Sequence, residues 1–376
     1  MRPTRLLLLS SLTVALVLGG LVARPDGSAR VDLPASLTNQ EFWRLTEELS
    51  EPNGAFTSDN LLSNEKTFAR LVPELVARTK PGGVYLGVGP EQNFTYIAAM
   101  RPRMAFITDV RRGNLHLQLM YKALFELSAD RAEFVSRLFT KPRPAGLTAT
   151  SSVTELMNAY WEVFTANETA YTENLQAIQH HLTKTRALPL PAEDLDGIAA
   201  VYRAFYWYGP SITWGARLSL TPAAPPPPPA TVTVVNTNTT FIRMSVVGGM
   251  IGSTYWDIVT QSDASGRGLT WLASEETFTI VKDLQRKNLV VPVVGNFSGP
   301  KALRAVGAYV KSRGATVTAF YLSNVESYLQ RAGTWGDFCA NVATMPLDDA
   351  SVFIRPSGPR VIGLVSMAAE VNACGK

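Results

Sequence analysis

The stretch from Gly83 to Asn114 constrains the fold more than any other part of this chain. It contains two apolar runs, a glycine turn and a helical pattern, in the order Val84–Val88, Gly87–Pro90, Asn93–Met100 and Met104–Thr108. Asp109 follows the second apolar run. A strand, a glycine turn, a helix and a second strand predict a βαβ unit, in which parallel strands end at one crevice.

Six residues of this stretch are candidates for contact with a ligand: Gly87, Gly89, Pro90, Glu91, Asn93 and Asp109. Glycine lets the backbone approach a ligand closely, and a helix N-terminus offers free N–H groups. Asp109 lies twenty residues after Gly89, the spacing at which an acid faces ribose hydroxyls. The alternative is a structural turn, with Asp109 capping the helix that starts near Asn114.

Polar side chains before this stretch and near its end allow two interpretations each. Residues 56–65 are a capped turn before a helix at 66–78, or a loop whose Asp59, Asn60 and Asn64 line the ligand cleft. Arg111 and Arg112 are solvated in the interpretation that we favour. In the alternative they meet an acidic or phosphorylated ligand.

The N-terminus predicts export. Arg2 and Arg5 precede an apolar run over residues 6–23, and small residues follow up to position 29. Residues 1–29 are expected to be a cleaved secretory signal or, alternatively, a retained single membrane span. In both cases the remainder of the chain lies outside the cytoplasm, secreted, periplasmic or anchored, because the positive end stays inside.

Composition narrows the classes of function. The chain of 376 residues is 46% hydrophobic and carries a net charge of only +4, so we expect a large core and no nucleic-acid partner. With three His and two Cys, we expect no metal site. Cys339 and Cys374 could pair outside the cytoplasm, but nothing in the sequence shows that they are close.

The rest of the chain alternates between helical and strand patterns. We expect an N-terminal helical segment over 31–80 and an α/β domain over 81–376, with a helical insertion at about 115–210 and a proline-rich loop at 222–230. A second glycine turn at 295–300 follows a strand pattern, and its Asn296 and Ser298 are further candidates for ligand contact. The sequence therefore predicts an α/β fold with a doubly wound, mostly parallel sheet. The large helical insertion falls between the second strand and the later strands.

The segment Val84–Asp109 resembles the cofactor-binding half of class I S-adenosylmethionine-dependent methyltransferases. Over residues 38–355 the chain also resembles a group of uncharacterised bacterial proteins with this fold, through the words GVGPEQNF, LASEE, GNFSGPKALRA and TAFYLSNVE. The resemblance implies a methyltransferase-like fold and S-adenosylmethionine as the cofactor. Gly87 and Gly89 would lie under its methionine part, and Asp109 would hold its ribose.

Two departures from the methyltransferase pattern leave the activity open. Pro90-Glu91-Gln92 replaces the usual small residues and third glycine, and Asn296-Phe297-Ser298 stands where an Asn-Pro-Pro-Tyr motif is expected after the fourth strand. Moreover, the cofactor is not ordinarily found outside the cytoplasm. The chain is either a methyltransferase-like enzyme or a non-catalytic protein that binds another small molecule or partner. A hydrolase is disfavoured, because no Gly-x-Ser-x-Gly turn with Asp and His partners is visible.

Overall fold

The computed structural model describes residues 32–65, 67–162, 167–216, 218, 231–234, 242–247, 250–358 and 361–374. Its strands are β1 (Val84–Val88), β2 (Met104–Asp109), β3 (Thr231–Val234), β4 (Ile242–Val247), β5 (Met250–Gly252), β6 (Val290–Val294), β7 (Val317–Tyr321), β8 (Val352–Gly358) and β9 (Val361–Ser366). Its α-helices are α1 (Asn39–Leu49), α2 (Val72–Arg78), α3 (Gln92–Met100), α4 (Arg112–Leu127), α5 (Arg131–Phe139), α6 (Val153–Glu162), α7 (Glu168–His180), α8 (Ala192–Tyr208), α9 (Tyr255–Val259), α10 (Glu275–Arg286), α11 (Ala302–Ser312), α12 (Val325–Arg331), α13 (Trp335–Val342) and α14 (Met367–Cys374). Single 3₁₀ or π turns cover Phe68–Leu71, His181–Thr185 and Gly209–Ser211.

Six strands form the central sheet in the order β6-β2-β1-β7-β8-β9. All neighbours in it pair in parallel except β8 and β9, which are antiparallel. If these six strands are counted along the chain, the order is the doubly wound 3-2-1-4-5-6 arrangement, in which the direction of winding reverses between β1 and β7. The predicted α/β class and mostly parallel sheet are confirmed. Strands β3, β4 and β5 form a separate antiparallel sheet.

The central strands are apolar because helices cover both faces of the sheet. Every residue of β1, β2, β6 and β7 is buried, as is typical of parallel strands between two helical layers. One covering layer contains a cluster of aromatic rings contributed by α3, α4, α5 and α10, in which Phe94, Phe125 and Phe134 all lie within 6 Å of the Trp271 ring. Packing between these rings holds the helices of this layer in place against the sheet.

The helical pattern over Leu115–Phe139 is two helices rather than one. Helix α4 ends at Leu127, and Asp130 begins α5 by accepting a hydrogen bond from the N–H of Glu133 at 2.7 Å. An aspartate at this position satisfies a free N–H of the new first turn, which a continuous helix would not require. Helices α4 to α8 occupy 112–208, between β2 and the described strands that follow it.

Ion pairs attach α4 to its neighbouring helices. Asp194 of α8, which is 1% exposed, lies 2.6 Å from Arg112 and 2.8 Å from His116. Glu126 lies 2.6 Å from both His181 and Arg186. The His181 side chain is only 12% exposed because its ring is bound to this buried carboxylate.

The remaining predictions concern the N-terminal segment, the proline-rich loop and the two cysteines. The proposed signal or anchor at 1–29 and the proline-rich loop at 222–230 lie outside the described residues. Within the described ranges, no helix is both long and apolar enough to cross a bilayer. Cys339 of α13 and Cys374 of α14 form a disulfide bond, so the pairing that the sequence left open is present.

Candidate functional site

A cavity of about 520 Å³ lies at the carboxyl ends of four parallel strands of the central sheet. Each of these strands contributes the residue that follows it or ends it: Gly89 after β1, Asp109 at the end of β2, Gly295 after β6 and Ser323 beyond β7. The loop over 55–64 and helix α12 complete the wall. The cavity therefore occupies the point where the winding of the sheet reverses, which is where open α/β sheets bind ligands.

The Asn93 side chain holds the glycine turn together through hydrogen bonds to its backbone. Its Nδ2 donates to the carbonyl oxygens of Val88 at 2.9 Å and Pro90 at 2.7 Å, and its Oδ1 accepts from the hydroxyl of Tyr85 at 2.7 Å. A Cβ atom on Gly87 would lie 1.9 Å from that Oδ1. Gly87 and Asn93 are absent from the cavity wall, so the structure places both in the internal packing of the turn.

Gly89 is the turn residue that faces the cavity. It has a φ of +77°, a conformation that other residues adopt only at a cost, and a Cβ atom there would meet nothing closer than 4.0 Å. Its carbonyl oxygen accepts from Nε2 of Gln118 at 3.0 Å. Pro90 and Gln92 also line the cavity. Gln92, which the sequence analysis named only as a departure from the methyltransferase pattern, is therefore part of the wall.

Glu91 is not part of the cavity wall. It is fully buried, and neither carboxyl oxygen has a hydrogen-bond partner among the described residues. Burial raises the pKa of Glu91 to about 8, and polar backbone groups, including that of Ser63, offset only part of this effect. Glu91, a candidate for ligand contact in the sequence, is therefore placed in the buried interior next to the turn and not in the cavity wall.

Asp109 lines the cavity, but its carboxylate is already bound. Arg111 donates from its backbone N–H at 2.9 Å and its Nε at 3.0 Å to Oδ1, and from Nη2 at 2.8 Å to Oδ2. The Arg111 side chain also donates to the carbonyl oxygens of Ser58 and Asp59. The expected solvation of Arg111 is wrong, since the residue is 8% exposed. Nor does Asp109 cap α4, for which no side-chain cap is present.

The polar loop over 55–64 forms one wall of the cavity. Asn60 and Asn64 line it, as the second interpretation of this loop proposed, whereas Asp59 does not. Asp59 instead uses Oδ2 to accept from the N–H of Leu218 at 3.0 Å. The backbone contacts of Arg111 hold the loop against the end of β2.

The second glycine turn brings Asn296 and Ser298 to the cavity wall. The N–H groups at this turn are occupied by the protein, because the carboxylate of Glu51 accepts from Asn296 at 2.9 Å, Lys301 at 2.9 Å and Ala302 at 2.8 Å. The start of α11 is thus not free for an anionic ligand. This turn follows β6, the third strand of the central sheet along the chain. Ser323 and Asn324, rather than Asn296, follow the fourth.

Ser323 combines an unusual backbone with a carboxylate contact. Its φ is +49°, and its hydroxyl donates to Oε1 of Glu65 at 2.9 Å, while the Tyr321 hydroxyl donates to Oε2 at 2.5 Å. Burial raises the pKa of Glu65, although these two hydrogen bonds oppose the shift. Ser323 and Asn324 both line the cavity, beyond the carboxyl end of β7.

Aromatic side chains supply much of the remaining wall: Phe56, Trp214, Phe297 and Tyr328. Asp109 and Arg111 are paired with each other, so the described wall offers mostly apolar surface, amides and hydroxyls. That surface suits an uncharged molecule with a flat apolar part. Among the described residues, no three His, Cys, Asp or Glu side chains are grouped so as to hold a metal ion.

The structure thus brings together five of the eight predicted site residues: Gly89, Pro90, Asp109, Asn296 and Ser298. Gly87, Glu91 and Asn93 lie behind the wall. The pairing of Arg111 with Asp109, the contact of Glu65 with Ser323 and the aromatic part of the wall were not predicted from the sequence. The positions of these residues depend on contacts between segments that are distant in the sequence. The only local signal was the unusual polarity of residues 56–65, which contain Glu65.

These features define a Rossmann-like α/β protein with a ligand-sized cavity at the switch point of its sheet. The chain belongs to the family described as domain of unknown function (DUF7790), whose model matches residues 61–189 and 252–373, more than half of the sequence. The matched ranges include all six strands of the central sheet. No curated protein matches the sequence.

Proposed function

We propose that this protein takes up an uncharged small molecule with an apolar, ring-containing part in the switch-point cavity, and that it does so outside the cytoplasm. The observation that carries the proposal is the cavity itself, about 520 Å³ in volume and lined by four aromatic residues among amides and hydroxyls. This volume lies in the usual range for small-molecule sites. The apolar N-terminal run and the disulfide between Cys339 and Cys374 support export.

A second candidate ligand is S-adenosylmethionine or a related nucleoside, as in a methyltransferase-like fold with α5 to α8 inserted. The winding order of the sheet, Gly89 and the position of Asp109 favour it. The ribose role fits poorly, however, because a carboxylate has about four acceptor positions and Arg111 already takes three of those of Asp109, which leaves too few for the two hydroxyls of a ribose. A ligand without a ribose therefore agrees better with these contacts.

Ligand-observed NMR with a panel of neutral aromatic fragments, adenosine and S-adenosylhomocysteine tests both candidates. We expect fragments to bind with a Kd near 1 mM, about −4 kcal/mol, and the nucleosides to bind no better. Ser298→Trp, at a half-buried position of the wall, should abolish binding by filling the cavity. Ser312→Trp, at an exposed position at the far end of α11, is the matched control and should bind normally.

Each possible result decides between the candidates. Binding of S-adenosylhomocysteine at micromolar concentration, lost in Ser298→Trp, would favour the nucleoside. Failure of every compound to bind at millimolar concentration would contradict both candidates, since an open apolar cavity of this size accepts at least some small rings.

A further inference from the structure

Ser323 occupies the tightest turn at the centre of the sheet. It lies two residues beyond the end of β7, has the left-handed φ of +49°, and is followed two residues later by α12. A serine at positive φ between a strand and a helix is the geometry that exposes a nucleophile in α/β-hydrolases. This conformation costs a serine on the order of 1–3 kcal/mol, and such strained residues cluster at active sites.

The partner of Ser323 is a carboxylate that is far away in sequence. Glu65 accepts the Ser323 hydroxyl at 2.9 Å on one oxygen and the Tyr321 hydroxyl at 2.5 Å on the other. Both carboxylate oxygens are thereby held in place. Since burial raises the pKa of Glu65, its carboxylate binds a proton more tightly than an exposed one does, which makes it a stronger base.

Two other serines of the cavity wall, Ser58 and Ser298, donate to amide oxygens instead. The Ser58 hydroxyl donates to the amide oxygen of Asn60 at 2.7 Å, and that of Ser298 to the amide oxygen of Asn296 at 3.1 Å. An amide oxygen accepts a hydrogen bond but does not take up a proton near neutral pH, whereas a carboxylate does. Ser323 is thus distinguished from these serines by its chemistry as well as by its backbone.

We propose that Ser323 is the nucleophile and Glu65 the general base of an acyl-transfer site for small esters in this cavity. Glu65 takes the hydroxyl proton while the Ser323 oxygen bonds to the carbonyl carbon of the ester. The ester C–O bond then breaks, and the proton passes from Glu65 to the departing alkoxide, which leaves as an alcohol. Water, activated by Glu65 in turn, releases the carboxylic acid and restores the serine. Tyr321 positions Glu65.

This inference rests on the proposal that the cavity takes up a small molecule, and it adds a reaction to it. The competing explanation is that Glu65 only ties the loop over 55–64 to the end of β7. The two differ in a measurable way, because a structural tie gives Ser323 no more reactivity than any other serine hydroxyl.

The test uses a fluorophosphonate probe, which modifies nucleophilic serines, with the modified residue located by mass spectrometry. We expect the full chain to be labelled at Ser323, and to hydrolyse 4-nitrophenyl acetate faster than Ser323→Ala does. Glu65→Gln keeps the size of the side chain but removes the base, and its amide oxygen can still accept from one of the two hydroxyls. It should reduce the labelling rate at least hundredfold, in line with the usual contribution of a general base.

Two controls keep the result decisive. Ser312→Ala, at an exposed position at the far end of α11 and outside the cavity wall, should label at the wild-type rate. Thermal unfolding of Glu65→Gln will show whether the variant is folded, and labelling of the unaltered protein is informative whatever that variant does. An unlabelled Ser323 at millimolar probe, or equal labelling in folded Glu65→Gln, would overturn the inference. Fragment binding without labelling would leave the binding proposal intact.

Discussion

Arg111 holds both carboxylate oxygens of Asp109, with Nε 3.0 Å from Oδ1 and Nη2 2.8 Å from Oδ2. The two side chains are 10% and 7% exposed, so neither charge is well solvated. This pair stands where the resemblance to methyltransferases predicted a free acid facing a ribose. It makes the wall of the cavity nearly neutral and fixes the neighbouring loop through Ser58 and Asp59.

We expect that breaking this pair will destabilise the protein more than removing both charges together. Arg111→Met leaves a buried carboxylate without its partner and should cost about 3–5 kcal/mol of unfolding free energy. The double variant Asp109→Asn with Arg111→Met should cost less than Arg111→Met alone, because no unpaired buried charge remains. Urea denaturation of all four proteins measures this coupling. Arg44→Met, which disrupts the exposed pair with Glu48, is the control and should be nearly neutral.

Glu51 fills the anion site at the start of α11, and its removal should open that site. Glu51→Ala leaves the N–H groups of Lys301 and Ala302 without an acceptor, which should cost about 1–2 kcal/mol. Sulfate should then stabilise the variant against thermal unfolding more than it stabilises the wild type, because an exposed helix N-terminus binds anions. Equal salt responses of the two proteins would show that the carboxylate is not replaceable in this way.

Gly87 is predicted to be intolerant of any side chain. Gly87→Ala places a methyl group 1.9 Å from Oδ1 of Asn93, within a fully buried turn, and should cost about 1–3 kcal/mol as the turn shifts. Gly113→Ala is the matched control, because a Cβ atom at this position of α4 meets nothing within 4 Å. That variant should be neutral or slightly stabilised, as expected for alanine in a helix. Chemical denaturation compares the two, and similar costs would refute the role assigned to Asn93.

The buried carboxyl of Glu91 should make stability fall as pH rises. Its pKa is about 8 in the folded protein against 4.5 as the ordinary value, so the folded state binds this proton more tightly than the unfolded state. The contribution of the protonated Glu91 carboxyl to the free energy of unfolding is fully present below pH 4.5 and is lost as pH rises through 8. The loss is on the order of 1 kcal/mol per pH unit. Glu91→Gln should therefore be more stable than the wild type at pH 8 and similar to it at pH 4. Parallel pH profiles of the two proteins would contradict this assignment.

Local patterns were sufficient for the elements around the cavity. The strand Val84–Val88 has the predicted bounds, and the helix that follows begins one residue earlier than expected, at Gln92. These features depend on runs of apolar residues and on glycine, which act over a few neighbours. Asp130, a single capping residue, separates α4 from α5 inside an otherwise continuous helical pattern, so the number of helices in the insertion was not predicted.

The sequence by itself determined that a glycine turn and a strand-ending Asp109 belong to a parallel α/β sheet, because strand, turn and helix propensities are local. Only the tertiary structure decided what those groups do. It placed Arg111 on Asp109 beneath a loop more than fifty residues earlier, Glu51 at the start of α11, and Glu65 beside Ser323 across a separation of 258 residues. The partner of a polar side chain is set by which distant segments pack together, and no periodicity in the sequence records that choice.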